Sequence, residues 1–299
     1  MFPKAVDYHK PNRPSVPNGL GVIYVLASVI YLFLLYRFGN IQSSSAIGGS
    51  PELTLAVCIL FGGFMGLIDD WVDLRWRYKA FLPIVASLPI AVLRQATPVM
   101  STYFWGKIDF RVIHFFGIPG DYIFYFGVIP LIVTITTNTV NQLGGLNGLE
   151  TLCPSIILFG LLLAASPEFQ VMLYAPLLVY LILAYFNVRG KIFVGNTGSF
   201  AIGITLASFA LAANIEQTLV ISILPYVLNS SLILLNVFFS GSKANVSFDG
   251  EKLSSDHRRS LVTLVTYKRR LSERQVVATI ALLMAVSTCA ALLVEWFTL

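Results

Sequence analysis

The chain has 299 residues, of which 56% are hydrophobic and only 12% are charged, and its formal net charge is +5. A water-soluble core cannot absorb that much apolar surface, which excludes a soluble globular protein. The sequence has no linker, internal repeat or low-complexity tract. Residues 1–299 are therefore predicted to form one integral membrane domain, with the lipid bilayer rather than nucleic acid as its partner.

Apolar runs recur along the whole chain at lengths that suit membrane-spanning helices, which need about 20 residues. The polar start of the chain argues against a cleaved signal, so the first run is expected to remain in the protein. The predicted fold class is all-α, a multi-pass transmembrane helix bundle of about nine to ten spans, in which the short third run could be longer or re-entrant. The nine candidate spans are Leu20 to Tyr36, Leu53 to Ile68, Ala80 to Leu93, Asp121 to Thr137, Leu149 to Ala165, Val171 to Phe186, Ser199 to Ala213, Leu219 to Ser240 and Val276 to Phe297.

The distribution of Lys and Arg predicts the orientation, because cytoplasmic loops carry an excess of both. With a cytoplasmic N-terminus, 16 of the 20 basic residues, Lys243 among them, fall on the cytoplasmic side. Arg37, Arg94, Lys107 and Arg111 remain for the other face. We therefore expect the N-terminus and the motif-bearing loops to face the cytoplasm.

The first segment with candidate catalytic residues lies at the end of the second predicted span. Asp69 and Asp70 are adjacent, Asp73 follows, and Lys79 opens the third span. Adjacent carboxylates repel each other, and a helix C-terminus disfavours negative charge, so the arrangement calls for a nearby cation. A divalent metal or a substrate cation would supply it. The alternative is a solvated turn in which Asp73 pairs with a neighbouring arginine.

The second segment sets three asparagines among glycines at the junction of two spans. Asn138 and Asn141 share a face if the helix continues, and Asn147 follows Gly144 and Gly145. Amide side chains offer oxygen to a hard cation and hydrogen-bond donors to a base or sugar. Asn138 and Asn147 are thus candidate substrate contacts, although helix capping by Asn and Gly is an open alternative.

The third segment runs from Gly195 to Gly198 into a helix expected near Ser199. A glycine-flanked helix N-terminus presents free N–H groups to an anion such as phosphate. A simple N-cap by Asn196 or its neighbours would give the same pattern.

The fourth segment is the long loop from Gly241 to Gln275, which contains His257, Arg258 and Arg259. Basic residues beside a membrane bind lipid headgroups or substrate phosphates, or serve only to fix the topology. Both interpretations stay open on the sequence.

These four segments resemble the polyprenyl-phosphate N-acetylhexosamine-1-phosphate transferases of glycosyltransferase family 4, and especially their dolichyl-phosphate N-acetylglucosamine-1-phosphate transferase branch. The resemblance rests on VPNGLGVIY, DDWVDLRWRYKAFLP, NTVNQLGGLNGLE and FVGNTGSF. It implies transfer of N-acetylglucosamine 1-phosphate, or a related sugar 1-phosphate, from a UDP-sugar to polyprenyl or dolichyl phosphate, with release of UMP. This is the first membrane step of lipid-linked glycan synthesis, at the cytoplasmic face of the cell membrane. Mg²⁺, with Mn²⁺ as a substitute, and a homodimer are implied as well.

The resemblance also implies roles for individual residues. Asp69 and Asp70 match the family's paired aspartates, which activate or orient the lipid phosphate. Lys79 matches a lysine near the substrate phosphates. Asn141 matches a metal-ligand asparagine, and Asn147 matches a residue that contacts the uracil.

Two departures from the family pattern bear on activity. Asn196 stands where the family has a magnesium-ligand aspartate, so the affinity for Mg²⁺ should fall unless Asp69 or Asp70 compensates. The family's His-Arg-x-Pro-Arg stretch is absent, and His257, Arg258 and Arg259 are its candidate replacement in substrate binding.

A catalytically impaired paralogue and a membrane transporter are the alternative functions. By the same resemblance, the chain is expected to lack the first helix of the eukaryotic enzymes and to start in the loop that follows it, as a prokaryotic, archaeal source would explain.

Overall fold

The computed structural model describes residues 2–39, 49–102, 106–241 and 244–298 and consists mainly of helices. Lys243 lies outside these residues. The helices are α1 (Gly21–Phe38), α2 (Pro51–Val72), α3 (Trp76–Val92), α4 (Gly120–Ile123), α5 (Ile129–Gln142), α6 (Leu149–Ala164), α7 (Pro167–Val188), α8 (Gly195–Ala212), α9 (Glu216–Ser222), α10 (Leu224–Ser240), α11 (Leu261–Val265) and α12 (Glu273–Thr298). Four antiparallel hairpins pair β1 (Lys4–Val6) with β2 (Ser15–Pro17), β3 (Val99–Thr102) with β4 (Gly106–Asp109), β5 (His114–Phe115) with β6 (Ile118–Pro119), and β7 (Ser247–Phe248) with β8 (Leu253–Ser254).

Each of the nine predicted spans overlaps a helix, and the prediction of an all-α membrane bundle is confirmed. Within the described ranges, six helices are long and apolar enough to cross a membrane, and α9 with α10 makes a seventh if that bent pair is one span. The continuous helical stretch 120–142, which includes α4 and α5, is one of the six. The apolar α6 is shorter, and α3 contains two prolines.

The predicted eighth span is broken where α9 meets α10, and the two helices are bent by 54°. Pro225 lies in the first turn of α10. Proline lacks the N–H group that would continue the helical hydrogen bonds of α9, so a new helix starts at this point. The break directs α10 towards α5 and α11.

The central helix is α8, which packs against α1, α2 and α5. In its membrane-length segment, 89% of the residues are buried inside the protein. Close packing with α2 depends on glycine, because a Cβ atom at Gly66 would collide with the carbonyl group of Asn196. This close approach brings Asp70, one helical turn after Gly66, to the N-terminus of α8.

The loops that carry the predicted motifs lie together at one end of the bundle. The backbone N–H of Phe193 donates to Pro17 (2.8 Å), and that of Gly21 donates to Val194 (2.9 Å), so the β1–β2 hairpin joins the start of α8. The opposite end holds the β3–β4 hairpin and the end of α8, where the N–H of Thr97 donates to the Oδ1 atom of Asn214 (2.7 Å). One end of the molecule therefore collects the candidate site residues.

Candidate active site

Asp70, on the neighbouring helix α2, caps the N-terminus of α8. Its Oδ1 atom accepts the N–H of Asn196 (2.9 Å), and its Oδ2 atom accepts the N–H and the hydroxyl of Thr197 (3.0 and 2.7 Å). The α8 helix has no side-chain cap of its own. The free N–H groups that the sequence predicts for an anion are thus bound by a carboxylate of the chain itself, which places that negative charge at the favourable end of the helix dipole.

Lys79 supplies the cation that the adjacent carboxylates require. Its Nζ atom lies 2.9 Å from the Oδ1 atom of Asp69, whose side chain is only 1% exposed. The N–H of Leu74 donates to the same oxygen (3.0 Å), while the Oδ2 atom is buried without a partner. Asp73 is 99% exposed and approaches Lys79 at 3.5 Å. Asp69 and Asp70 are therefore stabilised separately, one by Lys79 and the other by α8.

Asn138 and Asn141 lie on α5, which continues beyond the predicted span as the shared-face interpretation requires. The Nδ2 atom of Asn138 donates to the carbonyl of Ala80 (3.1 Å) and joins α5 to α3. The Oδ1 atom of Asn141 accepts the hydroxyl of Ser199 (2.5 Å), which joins α5 to α8. Neither asparagine caps α5, whose last hydrogen bond is made by the backbone of Leu143.

Asn147 is buried in a polar network that joins the two ends of the chain. Its Nδ2 atom donates to Asp7 (2.7 Å) and to the Oε1 atom of Glu273 (3.0 Å), which also accepts the Asn147 N–H (2.8 Å). Lys10 pairs with Glu273 at 2.7 Å. Because both carboxylates only accept, the orientation of the amide is fixed, and its Oδ1 atom is buried without a partner.

The predicted metal residues surround a central cavity of about 350 Å³, which none of the predicted substrate-binding residues lines. Asp70, Asn141 and Asn196 line it together with Glu150 and Ser199. The remaining lining residues come from the β1–β2 hairpin and the residue after it, from the α5–α6 loop and from the start of α8 and the segment before it, and they are Ala5, Val6, Asp7, Tyr8, His9, Asn18, Gly145, Phe193 and Gly195. Carboxylate and amide oxygens from four separate segments thus meet in one space.

A second cavity of about 500 Å³ lies between α3, α5 and α10 and has a mainly apolar lining. Asn141 lines both this cavity and the central one. Lys79, Asn138 and Trp76 line the same space. An apolar groove therefore ends beside a cation and the asparagine that the resemblance assigns to the metal.

A third cavity, of about 560 Å³, adjoins the central one. Tyr8, His9 and Gly145 line both, and the third cavity extends to Asn229 and Ser260. Its wall includes residues 244–246 of the long loop, which is held by the β7–β8 hairpin and by a hydrogen bond from Arg270 to Asp249. That bond holds the pKa of the Asp249 carboxyl well below its usual range.

The proposed replacement for the missing basic stretch lies apart from the three cavities. His257 contacts Ser255 through its Nδ1 atom (3.4 Å), and the Arg258 guanidinium stacks on the Tyr267 ring, 4.1 Å from its centroid. Neither they nor Arg259 line any of these cavities. Their role in substrate binding stays a prediction.

The donor set of the central cavity suits Mg²⁺. A carboxylate has about four acceptor positions, and Asp70 uses three of them for α8, so one remains. The Oδ1 atom of Asn141 has a lone pair beyond its bond to Ser199, and Asn196 adds a second amide. Among the residues that the structure describes, no group of three or more His, Cys, Asp and Glu side chains could hold a metal ion. The set fits an ion that completes its shell with substrate phosphates and water.

Several residues of the site were not predicted from the sequence. They are Asp7, His9, Lys10, Glu150, Ser199 and Glu273. The buried Asp7 and the ion pair between Lys10 and Glu273 depend on contacts between distant parts of the chain. A polar DYHK stretch before the first span was the available signal.

Comparison with known proteins gives consistent results. The sequence profile of glycosyl transferase family 4 matches residues 53–214. A protein of Saccharolobus solfataricus, provisionally named UDP-N-acetylglucosamine–dolichyl-phosphate N-acetylglucosaminephosphotransferase, is 31% identical over 91% of this chain and 81% of its own length. The protein of that name in Dictyostelium discoideum is 29% identical over 75% of this chain and 63% of its own length. A phospho-N-acetylmuramoyl-pentapeptide-transferase of Streptococcus equi is 28% identical, with 76% of this chain and 68% of the relative covered.

Proposed function

The chain belongs to glycosyl transferase family 4, and on that premise we propose that it transfers N-acetylglucosamine 1-phosphate from UDP-N-acetylglucosamine to dolichyl or another polyprenyl phosphate. UMP is released, and the product begins a lipid-linked glycan. The reaction takes place at the cytoplasmic face of the cell membrane and requires Mg²⁺.

One observation carries the proposal, namely that the polar central cavity meets the apolar cavity at Asn141. A reaction between a nucleotide sugar and a lipid phosphate needs a polar space for one substrate and an apolar space for the other. The boundary between the two spaces is where the phosphates must react. Lys79 lies in the apolar cavity, where its charge can bind the incoming lipid phosphate.

The transfer itself is a displacement at phosphorus. An oxygen of the lipid phosphate bonds to the β-phosphorus of the donor, the bond from that phosphorus to the bridging oxygen breaks, and UMP leaves with the oxygen. Phosphoryl transfer depends mainly on positioning and on neutralising negative oxygens. Asp69 positions Lys79 for the acceptor, while Asp70 fixes the first turn of α8 beside the donor.

Asp70, Asn141 and Asn196 would hold Mg²⁺ together with phosphate oxygens. When bound there, the ion would neutralise negative charge on the phosphates. The residues of the chain keep the donor oriented and exclude water from the reacting phosphates.

A transfer assay tests the function. Purified protein, radiolabelled UDP-N-acetylglucosamine, polyprenyl phosphate and Mg²⁺ should yield a lipid-linked product and UMP in equal amounts. Parallel reactions with other UDP-sugars define the sugar. Uptake of the donor into vesicles without lipid-linked product would instead identify a transporter.

Asn196→Asp should increase the affinity for Mg²⁺ and raise the transfer rate. Hard cations favour anionic oxygen, and charge-assisted contacts are about twice as strong as neutral ones. We therefore expect half-saturation of the rate at a lower Mg²⁺ concentration in the variant. A magnesium titration of both proteins is the measurement, and superimposable curves would mean that position 196 does not contact the metal.

A cysteine introduced at Lys252, in the exposed β7–β8 turn, should react with membrane-impermeant reagents only from the cytoplasmic side. The 16 to 4 distribution of basic residues favours this orientation. A cysteine at Lys107, in the hairpin at the opposite end, is the matched control and should react from outside. Reversed labelling of the pair would contradict the topology.

A further inference from the structure

The chain contains three histidines, and their positions relative to the site differ. His114 lies in the β5–β6 hairpin at the opposite end of the bundle. His257 lines none of the three cavities described above. His9, from the β1–β2 hairpin, lines both the central cavity and the third cavity. His9 is therefore the histidine that is placed to contact a ligand.

The ring of His9 is oriented by the loop between α5 and α6. Its Nδ1 atom lies 3.1 Å from the carbonyl oxygen of Gly145. A carbonyl oxygen only accepts, so the Nδ1 atom carries the hydrogen of this bond. The Nε2 atom is then the ring nitrogen available to a ligand, and it can donate to a phosphate oxygen when it carries a hydrogen.

The hairpin segment around His9 is fixed on both sides. The preceding Asp7 is 3% exposed and accepts the His9 N–H at 3.2 Å as well as the Asn147 amide. The following Lys10 pairs with Glu273 at 2.7 Å. A side chain supported in this way keeps its position before a ligand arrives, which lowers the entropic cost of binding.

The position of His9 between the two cavities indicates which part of a ligand it meets. The proposed donor consists of a nucleoside and a sugar joined by a diphosphate. If the two groups occupy the two adjoining cavities, the part that crosses the boundary is the diphosphate, whichever group lies in which cavity. Tyr8, His9 and Gly145 form that boundary.

We propose that His9 binds the diphosphate of the UDP-sugar through its Nε2 atom, a contact that rests on the proposed function. It gives the donor a contact from the N-terminal hairpin, a segment separate from those that carry Asp70 and Asn196.

Competition binding with purified His9→Ala tests the proposal. Radiolabelled UDP-N-acetylglucosamine is displaced by UDP or by uridine in buffer that contains Mg²⁺. The affinity for UDP should fall about tenfold or more, because a hydrogen bond to a charged group is lost, while that for uridine stays unchanged. In turnover, KM for the donor should rise by the same factor and KM for the lipid phosphate should not. His9→Gln retains a donor near the Nε2 position and should lose less.

Two further variants and the wild type make the result decisive. His114→Ala removes an imidazole at the opposite end and should leave UDP affinity and thermal stability unchanged. Equal losses for uridine and UDP in His9→Ala, no loss at all, or a larger loss in His257→Ala would overturn the proposal. A wild type that neither binds UDP nor forms lipid-linked product would refute the proposed function instead.

Discussion

Asp70→Asn should reduce the transfer rate by at least about 100-fold, because a small displacement of groups beside the reacting phosphates has an effect of that size. The carboxylate accepts two N–H groups and one hydroxyl from the first turn of α8. An amide offers one oxygen, and its NH₂ group would face donors rather than acceptors. The start of α8, which carries Asn196 and Ser199, should then shift. Product formation by purified protein is the measurement.

Asp73→Asn is the matched control for this variant. It removes the same charge from the same segment, but the Asp73 carboxylate is 99% exposed and lies 3.5 Å from Lys79. Exposed ion pairs contribute little, about 0–1 kcal/mol. We expect activity close to that of the wild type. Similar losses in both variants would mean that the lost charge, and not the hydrogen bonds from α8 to Asp70, accounts for the effect.

Lys79→Met should destabilise the protein and abolish transfer. The change leaves the Asp69 carboxylate, which is 1% exposed, without its cation. Removing one partner of a buried pair costs about 3 kcal/mol or more, because an uncompensated charge remains in the interior. Thermal unfolding in detergent should show a lower Tm, and the transfer assay should show no product.

The double variant Asp69→Asn/Lys79→Met separates folding from chemistry. With the buried charge removed as well, most of the lost stability should return, as is typical when both members of a buried pair are replaced. Transfer should remain absent, since the lipid phosphate has lost its cation. If the double variant regained activity, Lys79 would serve only to compensate Asp69.

The central residues of the site could be predicted because each lies in a local motif at a helix end. The neighbouring carboxylates Asp69 and Asp70 indicated a compensating cation, and the structure places Lys79 beside Asp69. The resemblance to the family assigned Asn141, Asn196 and Asp70 to one metal site, and all three line the central cavity. The local motifs singled out the individual residues, and the resemblance to the family, rather than spacing or residue type, implied that they share one site.

Other features depend on tertiary contacts that no local pattern records. Asp70 caps α8 because α2 and α8 approach each other closely at Gly66. The sequence shows that a glycine is present at this position but not which helix packs against it. The Asp7–Asn147–Glu273 network joins three distant segments. Glu273 by itself is an ordinary acidic residue in the first turn of a helix. The break between α9 and α10 did have a local signal, Pro225, within an otherwise continuous apolar run.

The ion pair between Lys10 and Glu273 joins residues that are 263 positions apart. A ribosome produces the N-terminal part of a chain first, at about 5–20 residues per second. The hairpin that carries Lys10 and His9 is therefore made long before the helix that anchors it. Until α12 has emerged and inserted, the nascent protein can pack α1 to α8 but cannot fix the wall of its substrate cavity. The central cavity is thus completed only when α12 is in place, and a translation product interrupted before α12 would be a membrane bundle without a finished site.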